Sequence, residues 1–262
     1  TVAPYMPAIL NTMKKNTTGS RSNSICIWRA CARGRSAKGR VSYQFGRDTR
    51  GWASFMAFLI SIHPQNPQPR LVRQAIAAIR DGSVVVYPTD SSYALGCLIG
   101  DKEAMERIRR IRNVDVKQHN FTLVCRDLSE IAKYARVDNS QYRTLKAFTP
   151  GPYTFLLEAT REVPKRLQNP KRRTIGIRVP DNAIVSMLLA ELGEPIMSST
   201  LLLPGESATP TDPQEIKEKL DHLVDLVIDG GTGGIEPSSV VDLSSGAPVI
   251  VRRGKGDVSA LE

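Results

Sequence analysis

Past residue 56 the chain alternates between short β-branched runs and longer stretches whose apolar residues recur every three or four positions. In "LVRQAIAAIRDG", Leu71, Ala75 and Ile79 stand beside Val72 and Ile76 on one helical face, and Asp81-Gly82 ends the stretch. "SVVVYP" reads as a buried strand. "DKEAMERIRRIR" opens at the N-cap-like Asp101 and repeats Ala104, Ile108 and Ile111 as a second helix. A strand "FTLVC", helices "DLSEIAKYA" and "NSQYRTLKAF", a turn "TPGP" and strands "YTFLLEA" and "TIGIRVP" follow. A helix "NAIVSMLLAELG", a strand "PIMSST", a helix "DPQEIKEKL" and strands "DLVIDGG", "SSVVDL" and "PVIVRRG" complete the pattern. Elements interleave without strict alternation, and the last three strands follow one another. The expectation is an α/β fold, a twisted open mixed sheet with helices packed on it, not a doubly wound parallel sheet.

Upstream of that pattern the periodicity fails. Residues 11–51 are rich in Ser, Thr, Gly, Arg and Lys and cannot bury much apolar surface. The formal charge of +10 is concentrated here: residues 1–60 hold ten Lys and Arg against the single acid Asp48, leaving 26 basic and 25 acidic residues for the rest. Basicity therefore says nothing about the ligand of the folded part. Residues 1–55 read as a disordered basic tail and 56–262 as the domain, with Met56 expected as the true start. An Arg- and Ser-rich transit leader and a phosphate-binding arm are the competing readings of the tail. The run "WASFMAFLISI" is about half the length a membrane span needs, and is read as the first strand and its lead-in.

The four cysteines, Cys26, Cys31, Cys97 and Cys125, have no CxxC spacing, and His63, His119 and His222 are far apart in sequence. A disulfide or zinc framework is not expected, and reduced thiols suit a cytoplasmic or organelle-matrix setting without membrane association. No GxSxG, paired carboxylates or Ser-His-Asp order stands out. "GRSAKGR" lacks the Lys and Ser/Thr that end a P-loop. "GGTGG", residues 230–234, reads as a turn ahead of a phosphate cradle. His119 and Cys125 read as structural.

Candidate chemistry lies in polar residues at the ends of apolar strands. "VVVYPTDSSYALG", residues 84–96, leaves a buried strand through Pro88, Thr89, Asp90, Ser91, Ser92 and Tyr93. "TIGIRVPD" carries Thr174 and Arg178, "PIMSST" carries Ser198, Ser199 and Thr200, and "PVIVRRG" carries Arg252 and Arg253. Arg109, Arg110 and Arg112 close the second helix. In α/β sheets, ligands gather beyond strand ends, so these residues describe a hydroxyl-lined, guanidinium-rich crevice for a polyanion. A basic loop, Lys165, Arg166, Lys171, Arg172 and Arg173, is either a solvated face or an RNA contact.

"YPTDSSYALG", "TPGPYTFLLEA", "TIGIRVPDN", "IDGG" followed by "SSVVDL", and "VIVRRG" resemble, in the same order, the blocks of the YrdC-like family, the threonylcarbamoyl-AMP synthases. Through "IHP", "RRIR", "HNFTL", "CRDLSE" and "LLLPG" the chain resembles the YciO branch most. The resemblance runs from about His63 to Asp257. It implies a concave, positively charged groove and a reaction in which L-threonine, bicarbonate and magnesium-bound ATP give threonylcarbamoyl-AMP and pyrophosphate, for modification of adenosine beside the anticodon of tRNA. No permanent cofactor is implied. By matching position, Thr89, Arg178, Ser198 and Ser238 would contact threonine or its carbamoyl group. Arg110, Arg112, Thr174, Thr200 and Arg252 would contact the nucleotide.

Two positions depart from the synthase pattern. Lys-x-Arg becomes Arg110-Ile111-Arg112, which exchanges a compact point donor for a planar fork. Ser-x-Asn becomes Thr200-Leu201-Leu202, which replaces an amide with an alkyl group. Two rivals therefore stand beside synthase activity: a double-stranded RNA or tRNA binding protein, and a hydrolase of a related adenylate.

Overall fold

The structure, a computed structural model, describes residues 56–113 and 121–261. The readings of the basic tail and of His119 fall outside them.

In chain order the elements are β1 (Phe58–Ser61), α1 (Pro69–Arg80), β2 (Val85–Tyr87), β3 (Ala94–Leu98), α2 (Lys102–Arg112) and β4 (Thr122–Val124). Then come α3 (Leu128–Tyr134), β5 (Ala135–Arg136), α4 (Asn139–Phe148), β6 (Tyr153–Ala159), β7 (Thr174–Arg178) and α5 (Ala183–Leu192). The last are β8 (Ile196–Thr200), α6 (Pro213–Lys219), β9 (Leu226–Asp229), β10 (Ser239–Asp242) and β11 (Val249–Arg252). Every element the pattern predicts forms; β3 and the two-residue β5 are additional. Helix boundaries follow local chemistry. Asp101 accepts from the amides of Glu103 and Ala104 at the start of α2, and Asp138 with Gln141 forms a capping box on α4. Gly193 takes a left-handed conformation, φ 77°, at the end of α5.

The strands join one mixed sheet in the order β1-β9-β2-β3-β8-β4-β7-β6-β10-β11, with β5 on β6. Although β9, β10 and β11 are consecutive in sequence, β9 inserts between β1 and β2 in parallel, while β10 and β11 form the other edge. β3 escapes the sequence pattern because Gly96 interrupts its short run. The glycine is required: a Cβ there would lie 2.7 Å from the Tyr87 ring and 2.8 Å from Ile196.

Strand side chains alternate between two faces, and the two faces end differently. On one, Val84, Val86, Leu123, Phe155, Ile175, Ile177, Met197 and Val241 join apolar residues of α2, α3, α4 and α6. On the other, α1 and α5 cover Val85, Tyr87, Ala94, Leu226 and Ile228. Their cover reaches Val124 and Ile196 and stops. The rest of that face, on β8, β4, β7, β6 and β10, lines an open cavity. Among the described residues no helix is long and apolar enough to cross a membrane.

Candidate functional site

The uncovered face bounds a cavity of about 510 Å³. Thr122, Thr154, Arg178, Ser198 and Thr200 line it from the strands, Arg112 enters from the end of α2, and Ser238 and Arg252 enter from the last hairpin. Leu202, Ser207, Ala208, Thr209 and Ile235 complete the lining, with Thr209 Oγ1 donating to the Ile235 carbonyl at 3.0 Å. The site is thus carried on the face of the sheet, not only beyond its strand ends as the sequence suggests. Alternation explains this: polar positions two apart on β7 and β8 point to the side that no helix covers.

Arg178 is buried, and its Nη2 donates to Ser91 Oγ at 2.8 Å, to Thr89 Oγ1 at 3.2 Å and to the Asp90 carboxylate. The Asp90 carboxylate also accepts from the Asp181 amide at 2.9 Å, and Lys255 reaches the Asp90 carbonyl. Arg112 donates to Ser199 Oγ at 2.8 Å and to the Thr200 carbonyl at 2.7 Å. Arg252 donates to the Ser238 carbonyl at 2.8 Å, and Ser238 Oγ shares a 2.8 Å hydrogen bond with Thr154. Tyr87 donates to Ser198 Oγ at 2.7 Å.

Desolvation pulls the Arg112 guanidinium down from the usual arginine range, with Arg252 adding to the effect, and partial desolvation of its inner face and then Arg178 act the same way on the otherwise exposed Arg252. Arg252 thus lies within electrostatic reach of both Arg112 and Arg178. Nε of Arg112 and of Arg178 are buried without a hydrogen-bond partner among the described residues. Such an arrangement lowers its energy when an anion enters.

Other residues singled out in the sequence fall elsewhere. Thr89 does not line the cavity; its hydroxyl donates to the Ser92 carbonyl at 2.6 Å and accepts from the Ser91 and Ser92 amides, closing the turn that presents Arg178's partners. Arg110 lies exposed on α2, 3.9 Å from Glu106, and Arg109 sits 5.1 Å over the Phe121 ring; neither lines the cavity. Helical spacing separates them from Arg112, the one residue of the three at the strand end. Thr174 stands at the opposite end of β7 from Arg178, roughly 13 Å away at the usual rise of a strand. It lines an adjoining recess of about 320 Å³ with Asn169, Arg172 and Asp242.

Lys165, Arg166, Lys171, Arg172 and Arg173 are all exposed, but Arg166 donates to the Gly100 carbonyl and Arg172 pairs with Asp242 at 2.7 Å. Three of the glycines of 230–234 serve packing, and Gly231 takes a left-handed conformation, φ 90°. A Cβ on Gly230 would lie 2.7 Å from Pro88, one on Gly233 2.6 Å from Tyr93, and one on Gly234 2.0 Å from the Ser91 carbonyl oxygen. This loop therefore presses the 88–93 turn into place instead of cradling phosphate. Cys97 and Cys125 are buried, and burial pushes both thiols up, as suits structural residues. Sequence reasoning missed Asp90 and Tyr87 as holders of Arg178 and Ser198. The signal for Asp90 was its place in the polar turn after Pro88, but the partner is 88 residues away in the chain.

Comparison with known proteins gives a consistent result. The Sua5/YciO/YrdC family profile, described as telomere recombination, matches residues 77–254. The uncharacterized protein YciO of Escherichia coli is 56% identical over 203 residues, which is 78% of this chain and 98% of that protein. The crystal structure of E. coli YciO superposes with a TM-score of 0.77 at 55% identity, covering 79% of this chain and all of that one. A threonylcarbamoyl-AMP synthase of Chromobacterium violaceum is 30% identical over 188 residues, 70% of this chain and 94% of the synthase.

Proposed function

The chain belongs to the Sua5/YciO/YrdC family, and from that premise we propose that its arginine-lined cavity binds a nucleotide beside L-threonine or its carbamoylated form, in the manner of a threonylcarbamoyl-AMP synthase. One observation carries the reading. Arg112, Arg178 and Arg252 converge on one cavity, and the carboxylate paired there, that of Asp90, meets only Arg178 among them. The excess positive charge calls for an anion with several oxygens.

Chemically, the carbamate formed from threonine and bicarbonate already bears the attacking negative oxygen. Attack on the α-phosphorus therefore needs positioning and charge neutralisation more than a strong general base. Arg112 and Arg252 sit where they would hold phosphate oxygens, and Arg178, fixed by Asp90, Ser91 and Thr89, would orient the amino-acid end. Thr200 and Thr174 extend the polar lining toward the rest of the nucleotide. Magnesium enters with ATP as part of the substrate. Among the described residues no group of three or more His, Cys, Asp or Glu is placed to hold a metal ion.

Leu202, the position at which the synthase resemblance implies an amide, lines the cavity. Losing a directed hydrogen bond of that kind costs about 10²-fold in rate. The test is release of pyrophosphate and formation of adenylate from ATP, magnesium and bicarbonate, with and without L-threonine, in the unaltered chain and in Leu202→Asn. Threonine-dependent adenylate in either, with a gain of up to about 10²-fold in the variant, supports the reading; no threonine dependence in either removes it.

A second reading concerns the loop of residues 161–173, where Lys165, Lys171 and Arg173 are exposed and could meet double-stranded RNA or tRNA. Affinity for a duplex RNA that falls steeply with salt and ignores ATP would favour it. Reversing the charge of Lys165 and Lys171 would then weaken RNA binding and leave the cavity's ligands untouched.

A further inference from the structure

The chain leaves β11 through Arg253, Gly254, Lys255, Gly256 and Asp257, a cation between two glycines. Both glycines are required by packing. A Cβ on Gly254 would lie 2.2 Å from the Pro237 carbonyl oxygen, and one on Gly256 2.4 Å from the Tyr153 ring. This close approach lets hydrogen bonds staple the segment on both sides of Lys255. The amide of Gly254 donates to Ser239 Oγ and that of Lys255 to the Pro237 carbonyl, each at 3.0 Å. Ser239 Oγ donates to the Gly256 carbonyl at 2.6 Å, and the Tyr153 hydroxyl to the Asp257 carbonyl at 2.9 Å. The backbone that carries Lys255 is therefore fixed without help from its side chain.

That side chain reaches across to the polar turn after β2, where its ammonium donates to the Asp90 carbonyl. Among the described residues Asp90 enters no backbone–backbone hydrogen bond, so the lysine is the tie on its main chain. The Asp90 carboxylate, in turn, holds Arg178 Nη2 and accepts from the Asp181 amide at 2.9 Å. Lys255 itself does not line the cavity.

We propose that Lys255 is a positioning residue for the amino-acid end of the cavity: carried on the stapled Gly254–Gly256 strap, it holds Asp90, and through Asp90 it aims the Arg178 guanidinium at a ligand's carboxylate or carbamate. This deepens the proposed threonine site and rests on it. Arg112 is held instead by Ser199 and the Thr200 carbonyl, and Arg252 by the Ser238 carbonyl. Losing the lysine leaves the charge of Arg178 in the cavity and costs only its aim. One end of the site should weaken and the other should not.

The test is calorimetric titration of the full chain, of Lys255→Met and of Lys255→Arg with L-threonine, for the Arg178 end, and with inorganic pyrophosphate, for the end held by Arg112 and Arg252. Lys255→Met keeps the length of the side chain and loses its charge. It should bind L-threonine about 10-fold less tightly than the unaltered chain, with pyrophosphate affinity within about twofold and urea unfolding unchanged, as suits an exposed position. Lys255→Arg can still donate to the Asp90 carbonyl and should restore L-threonine affinity. Unchanged L-threonine affinity in Lys255→Met overturns the role of Lys255 and keeps the reading of the cavity. Equal losses for the two ligands overturn it too, because they make the lysine a general contributor to fold or charge. An unaltered chain that binds pyrophosphate and no L-threonine removes the amino-acid reading of the Arg178 end, and the proposal with it.

Discussion

One face of the sheet is two surfaces. Over β9, β2 and β3 the side chains Leu226, Ile228, Val85, Tyr87 and Ala94 meet Val72, Ala75, Ile76, Ile184 and Leu188 of α1 and α5. Over β4, β7, β6 and β8, where those helices no longer reach, the same pleat presents Thr122, Arg178, Thr154, Ser198 and Thr200. The backbone is equally regular in both halves, so secondary structure does not distinguish them. What differs is cover. A strand under helices on both sides is apolar throughout, as in "VVVY", whereas a strand with one uncovered side alternates, as Thr174, Gly176 and Arg178 alternate with Ile175 and Ile177. The candidate site lies where continuous hydrophobicity gives way to alternation, because there polar groups can be kept available to a ligand without the cost of burying them unpaired.

Substitutions on either side should separate stability from binding. The largest effect is expected for Arg178→Ala, which strips the uncovered half of its most buried cation and leaves Asp90 charged and enclosed. Breaking a buried pair by removing one partner costs about 3–5 kcal/mol, and small-anion affinity should fall by about 10²-fold or more. Urea unfolding and titration with AMP or pyrophosphate measure the two separately. Unchanged affinity in a folded variant would show that Arg178 is a structural clamp alone.

Leu188→Ala, in the covered half, should do the opposite. Leu188 is completely buried in α5, and its truncation should cost about 2–5 kcal/mol. Ligand affinity should stay within about twofold, because no atom of Leu188 lines the cavity and effects at separate sites are nearly additive. A large loss of affinity would mean that the helices set the geometry of the uncovered half as well as covering their own.

Most of the architecture was legible in the sequence because periodicity reports burial, and burial is what places each element. The 3.6-residue stripe of Leu71, Val72, Ala75, Ile76 and Ile79 gives α1 its buried side directly. β3 was not legible, since Gly96 breaks a run of only five residues for the sake of a ring from the neighbouring strand. Of the candidate site, Arg178, Ser198, Thr200 and Arg252 could be picked out as polar residues on apolar strands. The selection of Arg112 from three arginines could not, because it depends on which residue at the end of α2 reaches Ser199 and Thr200 of β8. Nor could the pairing of Arg178 with Asp90 or of Asp242 with Arg172, which bring together distant parts of the chain.

The smallest effect, and the one that probes the border itself, concerns Tyr87. Its ring packs in the covered half against Gly96, and its hydroxyl crosses into the uncovered half to hold Ser198. Burial pushes the phenol up to about 12, against the opposing pull of the Ser198 hydrogen bond and of Arg178. The unfolded phenol titrates near 10, so the fold favours the neutral form. Its contribution is complete below about pH 10 and is lost between about pH 10 and 12, at about 1.4 kcal/mol for each pH unit. Tyr93, pushed up to about 12 mainly by burial, adds a loss of the same sign in the same window. Tyr87→Phe should therefore cost about 1 kcal/mol near neutrality, one hydrogen bond, and should remove its own share of an alkaline loss to which Tyr93 and the buried Cys97 and Cys125 thiols, all pushed up by burial, also contribute. Urea unfolding at neutral pH and through that window measures both. If the variant loses stability with pH as steeply as the parent, the phenol of Tyr87 is not held neutral by the fold, and the border between the two halves is wetter than the packing implies.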